Sequence, residues 1–556
     1  MSWKIIEKYR RILAAEKGTV RKNWGGKLPV CLVYPNRYRT AMSNLGFQAV
    51  YALLNSHSDI VCERAFLPDP EEMKEYAKAG TQLLSLESQR PLADFGVISF
   101  SVSFESDYLH IPAIFRLAGI PPFAAERDSS QPLIMAGGAS LFLNPEPVAE
   151  FMDLVCIGEA EAILPALLAL LQEEGSERQP LLRRAAQLPG IYVPSLYEVS
   201  YDGPKVEAIR PLAGAPGRVS RVWAKDMDDH VTASALFTPD TEFSDMHLIE
   251  LSRGCPRGCR FCAAGFIYRP YRQRSLAKIR EEAARGLGEH QRLGLVGAAI
   301  TDYHGIGELC RFIIGQGGKV SVSSLRLDNL DDELLEALKA SGHKTVSLAP
   351  EGGSQRLRDL IKKDLGTEQI LAACDRLIRN DILNLKLYFI IGLPTETMAD
   401  LEEMTALVTE IRARVLAAAR EMGRIGEVTL SVNPFVPKPF TPLQWCGMEE
   451  RKSLEGKIRY LQQAVGRLAN VRMIAESPRD ASLQALLSRG DRRLARLLAS
   501  AAETGNWRKE AKALGIDTEA MVCRAIPLDE TLPWDVIDSG NSDHLVREYR
   551  KAIFPR

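Results

Sequence analysis

The sequence predicts an α/β protein in three parts: a doubly wound parallel sheet, a partial (β/α)6 barrel and a helical C-terminal region. Three observations carry this. Short apolar runs alternate with helical patterns over residues 29–175, a second alternation starts at 246, and from about 450 the pattern turns helical and arginine-rich. A chain of 556 residues exceeds one ordinary core, and the expected divisions are 1–190, 191–240 as a linker, 241–450 and 451–556.

In the first alternation the expected strands are PVCLVYP (29–35), DIVCERAF (59–66), FGVISFSVS (95–103), PLIMAGG (132–138) and MDLVCIGE (152–159). LGFQAVYALLN, DYLHIPAIFRLAG, PEPVAEF and AEAILPALLALLQEE supply the helical patterns. Several runs end in small or polar residues, as strands do where their carboxyl ends open onto a ligand crevice. Ser99, Ser101, Ser103, Gly137 and Gly138 are therefore candidate cofactor contacts, although such residues also simply terminate strands.

From about 190 to 240 periodicity fades among Gly and Pro, which reads as a linker with some extended structure. The second alternation runs through MHLIELSRG, GLVGAAITD, KVSVSSLRL, KTVSLAPEGG, LKLYFIIGLPTET and EVTLSVNPF. Strands followed by helices in this order fit a partial barrel, whose chemistry lies at the carboxyl ends of its strands.

Hydrophobic residues at 46% and charged residues at 25% describe a globular chain. Its 70 basic and 71 acidic residues argue against a whole-protein footprint for nucleic acid or acidic lipid, while a local basic surface stays open. The N-terminus carries charges throughout and no stretch runs about eighteen apolar residues unbroken, so a cytoplasmic protein with no membrane partner is expected. Ten cysteines are too sparse for a disulfide framework, and seven of them read as buried small hydrophobes.

The other three are grouped. LSRGCPRGCRFCAAGF (251–266) places Cys255, Cys259 and Cys262 within eight residues, after the first strand of the second alternation. Three thiolates can ligate three irons of a cubane cluster and leave the fourth open to a small molecule. Structural zinc is the alternative, but it takes four ligands, and His247 on the strand side is the nearest histidine.

C-x3-C-x2-C, with the aromatic Phe261 before its last cysteine, resembles the signature of the radical S-adenosylmethionine (SAM) superfamily. The resemblance implies a 4Fe-4S cluster on Cys255, Cys259 and Cys262, with SAM chelating the open iron. Reductive cleavage to a 5'-deoxyadenosyl radical would follow, fed by an electron donor such as flavodoxin or ferredoxin. It also implies SAM contacts from Phe261, from Thr301 and Asp302 where the family has a Gly-Gly-Glu-like stretch, and from Glu351, Gly353 and Ser354. Gly392 and Glu396 of GLPTET would sit beside the adenine, with Pro394 and Thr397 in the same turn.

AGGASLFLNPEPVAEFMDLVCIGEAEAILPALL (136–168), with its GG, NPEP and D-x-V-x-x-GE-x-E, is similar to the subgroup carrying an N-terminal cobalamin-binding domain. VYPNRYRTAMSNLG, LLSLES and FVPKPFTPLQW look like one branch of it. The first part would then be a Rossmann-like sheet of the cobalamin-binding type. The expected function is radical modification, including methylation, of an unactivated carbon in a small molecule, RNA or protein. A cobalamin-independent enzyme acting on RNA or a ribosome-associated protein, and a non-enzymatic iron-sulfur sensor, are the alternatives.

Asp302 to Gly307 fits D-x-H-x-x-G, a cobalt-coordinating pattern, but lies in the barrel half and is read as coincidence; after the first strand stand Asn36, Arg37 and Tyr38. Arg489, Arg492, Arg493 and Arg496 read as a solvated helix face or as a surface for an acidic partner or RNA.

Overall fold

A computed structural model describes residues 2–173, 177–212, 214–243, 246–322 and 325–554. Two of the expected elements run into residues outside that set: the third barrel strand, at 323–324, and the end of the helix over 160–174.

The first part is a six-stranded sheet in the order β2-β1-β3-β4-β5-β6, from β1 (Leu28–Tyr34), β2 (Ile60–Phe66), β3 (Val97–Ser101), β4 (Leu133–Gly137), β5 (Leu154–Cys156) and β6 (Ile191–Tyr192). β1 to β5 are parallel and β6 is antiparallel. The apolar runs are nearly continuous because helices cover both faces, as a doubly wound sheet requires. Reversal of strand order between β1 and β3 makes the switch point at which such sheets bind ligands. α1 (Leu45–Ser56) follows β1, started by Asn44, whose side chain accepts from the Phe47 amide; α2 (Ala160–Leu171) follows β5.

β2 also carries Arg64, fully buried between Glu87 at 2.6 Å and Glu16 at 2.7 Å. Ser85 and Ser88 donate to Glu63, and Tyr38 donates to Glu16. LLSLES and the NRYR turn are thus pieces of one internal polar network.

The second part has seven parallel strands in sequence order. β7 (Met246–Glu250), β8 (Arg292–Val296) and β9 (Lys319–Val322) make one sheet; β10 (Thr345–Glu351), β11 (Asn384–Ile391), β12 (Glu427–Pro434) and β13 (Val471–Ala475) make another. One parallel bridge, Leu325 to Leu348, joins them into an open arc. β13 lies inside the stretch expected to be helical and extends the six anticipated strands: its apolar residues alternate with exposed Arg472 and Ile474, beside β12. β11 alternates half-exposed and buried residues, so Lys386 and Tyr388 face the opposite side from the buried Leu385 and Leu387.

Residues 191–240, expected as a linker, contribute β6, a hairpin of Tyr197–Asp202 with Lys205–Pro211, and Val219–Ser220 paired with Ile537–Asp538. The long helix α3 (Met398–Glu421) lies between β11 and β12, and the C-terminal part includes α4 (Pro478–Arg489), α5 (Leu494–Thr504) and α6 (Ser542–Ile553). No described helix is long and apolar enough to cross a membrane.

Candidate functional site

Beyond β7, Ser252–Arg253 pairs antiparallel with Arg272–Gln273, and the chain turns at Gly254. Gly254 has φ +81°, and a Cβ there would lie 2.6 Å from the Tyr268 carbonyl oxygen, so only glycine fits. The following loop carries Cys255 and Cys262 half-buried and Cys259 buried, and ends in the helical turn Ala264–Ile267.

Burial pushes the Cys262 thiol up to about 11 and also raises Cys255, and each feels the charge of Cys259. The nearby backbone of Arg257 opposes that rise at Cys255, and the backbone of Ala264 and Gly265 opposes it at Cys262. Three thiols in one short loop fit an iron-sulfur cluster, in which each thiolate binds its own iron. His247, the nearest histidine in the zinc alternative, is held by Glu282 at 2.7 Å.

Arginines from the loop reach in three directions. Arg253 binds Glu159 at 2.9 Å, Glu161 at 2.6 Å and Glu250 at 3.0 Å. Arg257 binds Asp302 at 2.7 Å and Asp328 at 3.4 Å. Arg260 binds Glu548 of α6 at 3.2 Å and donates to the Leu360 carbonyl at 2.6 Å.

The expected SAM contacts fall at the carboxyl ends of the barrel strands, in different states. Thr301 is buried, and its hydroxyl has no hydrogen-bond partner among the described residues. The Asp302 carboxylate is occupied by Arg257. Glu351 has φ +65°; burial raises its pKa against the opposing pull of Lys363, 3.6 Å away. Gly353 packs against the helix Met398–Glu421, where a Cβ would meet the Asp400 carbonyl at 2.7 Å. Ser354 caps the helix Gln355–Leu360 and donates to Asp400 at 2.5 Å. Gly392, at φ +74°, donates its amide to Glu396, which also binds Lys457 at 2.7 Å and keeps one buried oxygen unpartnered among the described residues. Phe261 is half-buried against the core.

Between the two sheets lies a cavity of about 1270 Å³. The carboxyl ends of β3, β4 and β5 form one wall, with Ser99, Ser101, Ser103, Gly137 and Gly138; β7 and β8 form the other, and Arg253 and Gly254 reach it. Gly138 has φ +118°, and a Cβ there would lie 2.3 Å from the Val102 carbonyl oxygen, so the close wall needs glycine. His304 of the D-x-H-x-x-G string is exposed in the barrel half, and Asn36 after β1 binds Asp107 at 2.8 Å.

Residues 249–408 match the family model described as the Radical SAM superfamily, and residues 46–194 match that of Radical SAM proteins, N-terminal. The chain carries a radical SAM domain. An uncharacterized protein of Methanocaldococcus jannaschii is 29% identical over 84% of this chain and 90% of its own length. The tRNA-2-methylthio-N(6)-dimethylallyladenosine synthase of Cereibacter sphaeroides is 27% identical over 39% of this chain and 52% of its own. Among solved structures, the radical SAM methyltransferase TsrM of Kitasatospora setae aligns at TM-score 0.45 and 15% identity, covering 75% of each chain. The cobalamin-dependent radical enzyme OxsB aligns at 0.45 and 16%, covering 69% of this chain and 52% of its own.

A radical SAM enzyme uses a 4Fe-4S cluster and SAM, and the sensor alternative gives way to that class. What sequence reasoning missed is the framing of the radical SAM loop. Glu159 and Glu161 of GE-x-E and Glu548 of α6 hold its arginines, although GE-x-E was visible as a motif. The C-terminal arginines also turn inward. Arg489 donates to the carbonyls of Cys446, Val522 and Arg524, Arg492 binds Glu146 of NPEP at 2.8 Å, and Arg493 binds Asp491 at 2.7 Å and stacks on Tyr201. Arg496 is exposed. A solvated face describes only that last one.

Proposed function

We propose that this radical SAM enzyme holds its cluster through Cys255, Cys259 and Cys262, carries cobalamin in the cavity of its N-terminal sheet, and modifies an unactivated carbon, most simply by methylation. We take 1–190 as the cobalamin unit, 241–450 as the radical unit and 451–556 as a brace. The observation that carries this reading is the cavity: at about 1270 Å³ it exceeds the roughly 300–1,000 Å³ of ordinary small-molecule pockets. It also runs from the switch point of the sheet to Gly254, the neighbour of Cys255.

When bound, cluster and SAM supply a 5'-deoxyadenosyl radical, and cobalamin supplies a transferable methyl group. The chain's own residues position and shield. Gly138 lets the wall at the strand ends pack closely on the Val102 backbone, and the exposed Phe104, Val231 and Phe243 line the cavity with apolar surface. Glu159 and Glu161 fix Arg253 and with it the start of the cysteine loop. Thr301 and Glu396 each keep a buried oxygen with no hydrogen-bond partner among the described residues. The names of the relatives, acting on a tRNA base and on magnesium-protoporphyrin monomethyl ester, keep RNA and a macrocycle among the substrate classes to assay.

Anaerobically reconstituted full-length protein with dithionite and SAM is expected to yield 5'-deoxyadenosine or S-adenosylhomocysteine. Yield no greater than that of the Cys255→Ala/Cys259→Ala/Cys262→Ala variant would end the reading. Titration of the full chain with hydroxocobalamin separates it from a cobalamin-independent enzyme acting on RNA, which predicts no binding.

A further inference from the structure

The chain is nearly neutral, with a net charge of -1, yet positive charge gathers around the cysteine loop. α6 packs against that loop: Glu548 binds Arg260, which stands between Cys259 and Cys262, and the His544 ring tilts on Phe266. The same helix presents Arg547, Arg550 and Lys551 to solvent, three and four residues apart and so on one face. Lys362, 37% exposed, sits 3.5 Å from Glu548 and beside Gly258 of the loop. Arg269, Lys362 and Arg547 all bear on His544. Glu548 is matched by Arg260, Lys362 and Lys551, and Asp543, Asp359 and Asp364 are exposed acids on the same segments.

We infer that this basic face of α6 is the docking surface for a small acidic protein that donates single electrons to the cluster. The inference rests on the cluster reading of the three cysteines. Radical SAM chemistry consumes an electron brought from outside, and electron tunnelling decays exponentially with distance, so a donor must seat close to the loop. Complementary charge steers a partner to such a place and speeds association, and salt screens the effect. In the step itself the donor loses one electron and the cluster gains it; no bond forms or breaks.

The test uses reconstituted full-length protein and reduced flavodoxin as the probe, followed by stopped-flow absorbance. Arg547→Glu/Arg550→Glu is expected to slow cluster reduction by flavodoxin at least tenfold at low salt. The wild-type rate should fall toward the variant's as salt rises from about 50 to 500 mM. Reduction by dithionite and the paramagnetic resonance spectrum of the reduced cluster should not change, and Arg547→Lys/Arg550→Lys should restore the rate. An unchanged flavodoxin rate overturns the proposal, as does a variant that loses only affinity for an RNA oligomer. A wild-type protein whose cluster takes no electron even from dithionite would overturn the cluster reading and this inference together.

Discussion

Glu159→Ala removes a carboxylate shared by two arginines and leaves them unequally compensated. Arg253 keeps Glu161 and Glu250, whereas Arg272, bonded to Glu159 at 2.5 Å, is left with the carbonyls of Ala224 and Pro270. Both guanidiniums are about nine-tenths buried, with side-chain exposures of 11% and 9%. Breaking a buried pair costs about 3–5 kcal/mol, and the surviving partners of Arg253 place this case near 3. Glu159→Gln keeps an acceptor and should cost about 2 kcal/mol. For a cooperative unit of about 200 residues, 3 kcal/mol lowers Tm by roughly 6–12 °C.

Thermal unfolding at pH 7, followed by circular dichroism, reads the loss against Glu281→Ala, whose side chain is 75% exposed. Burial alone would raise the Glu159 carboxyl, but Arg272 and Arg253 outweigh it and hold its pKa below the usual value. The wild-type advantage is therefore complete above the unfolded carboxylate pKa and fades as pH falls through the lower folded one. A Glu159→Ala shift no larger than the Glu281→Ala shift would refute the reasoning.

Arg64→Met should cost about 3–5 kcal/mol by stranding Glu16 and Glu87, measured by urea unfolding; a loss under about 1 kcal/mol would mean the network is solvated. Burial pushes Asp107 up to about 6, so between the unfolded pKa and 6 the folded state binds the extra proton and stability falls as pH rises. Asp107→Asn should accordingly gain about 1–2 kcal/mol at pH 7 and nothing at pH 3.5, and an equal effect at both would exclude titration as the cause. Gly138→Ala should lose about 2 kcal/mol or more and weaken hydroxocobalamin binding, whereas Gly137→Ala, whose Cβ would meet nothing nearer than 3.5 Å, should cost far less; similar behaviour of the two would contradict the strain argument.

Local pattern made the first five strands and most of the barrel legible because each apolar run is buried by its own neighbours. β13 escaped notice because Arg472 interrupts it and it follows an amphipathic helix, so its strand character comes from β12 beside it. Cys255, Cys259 and Cys262 stand out in the sequence because all three fall within eight residues. Glu159 and Arg253 stand 94 residues apart, and Glu146 and Arg492 stand 346 apart, and a single sequence carries no record of such pairing. For the same reason Arg489 looked like a surface residue: its partners are main-chain carbonyls, which no side-chain pattern announces.

The cysteine loop is fastened by Glu159, 94 residues before Arg253, by Asp302, 45 residues after Arg257, and by Glu548, 288 residues after Arg260. A chain synthesised only past Cys262 still lacks the helix that clasps Arg260. The three fastenings of the loop are therefore complete only once α6 has folded against it, and a chain cut short before Glu548 would present its thiols on an unclasped loop.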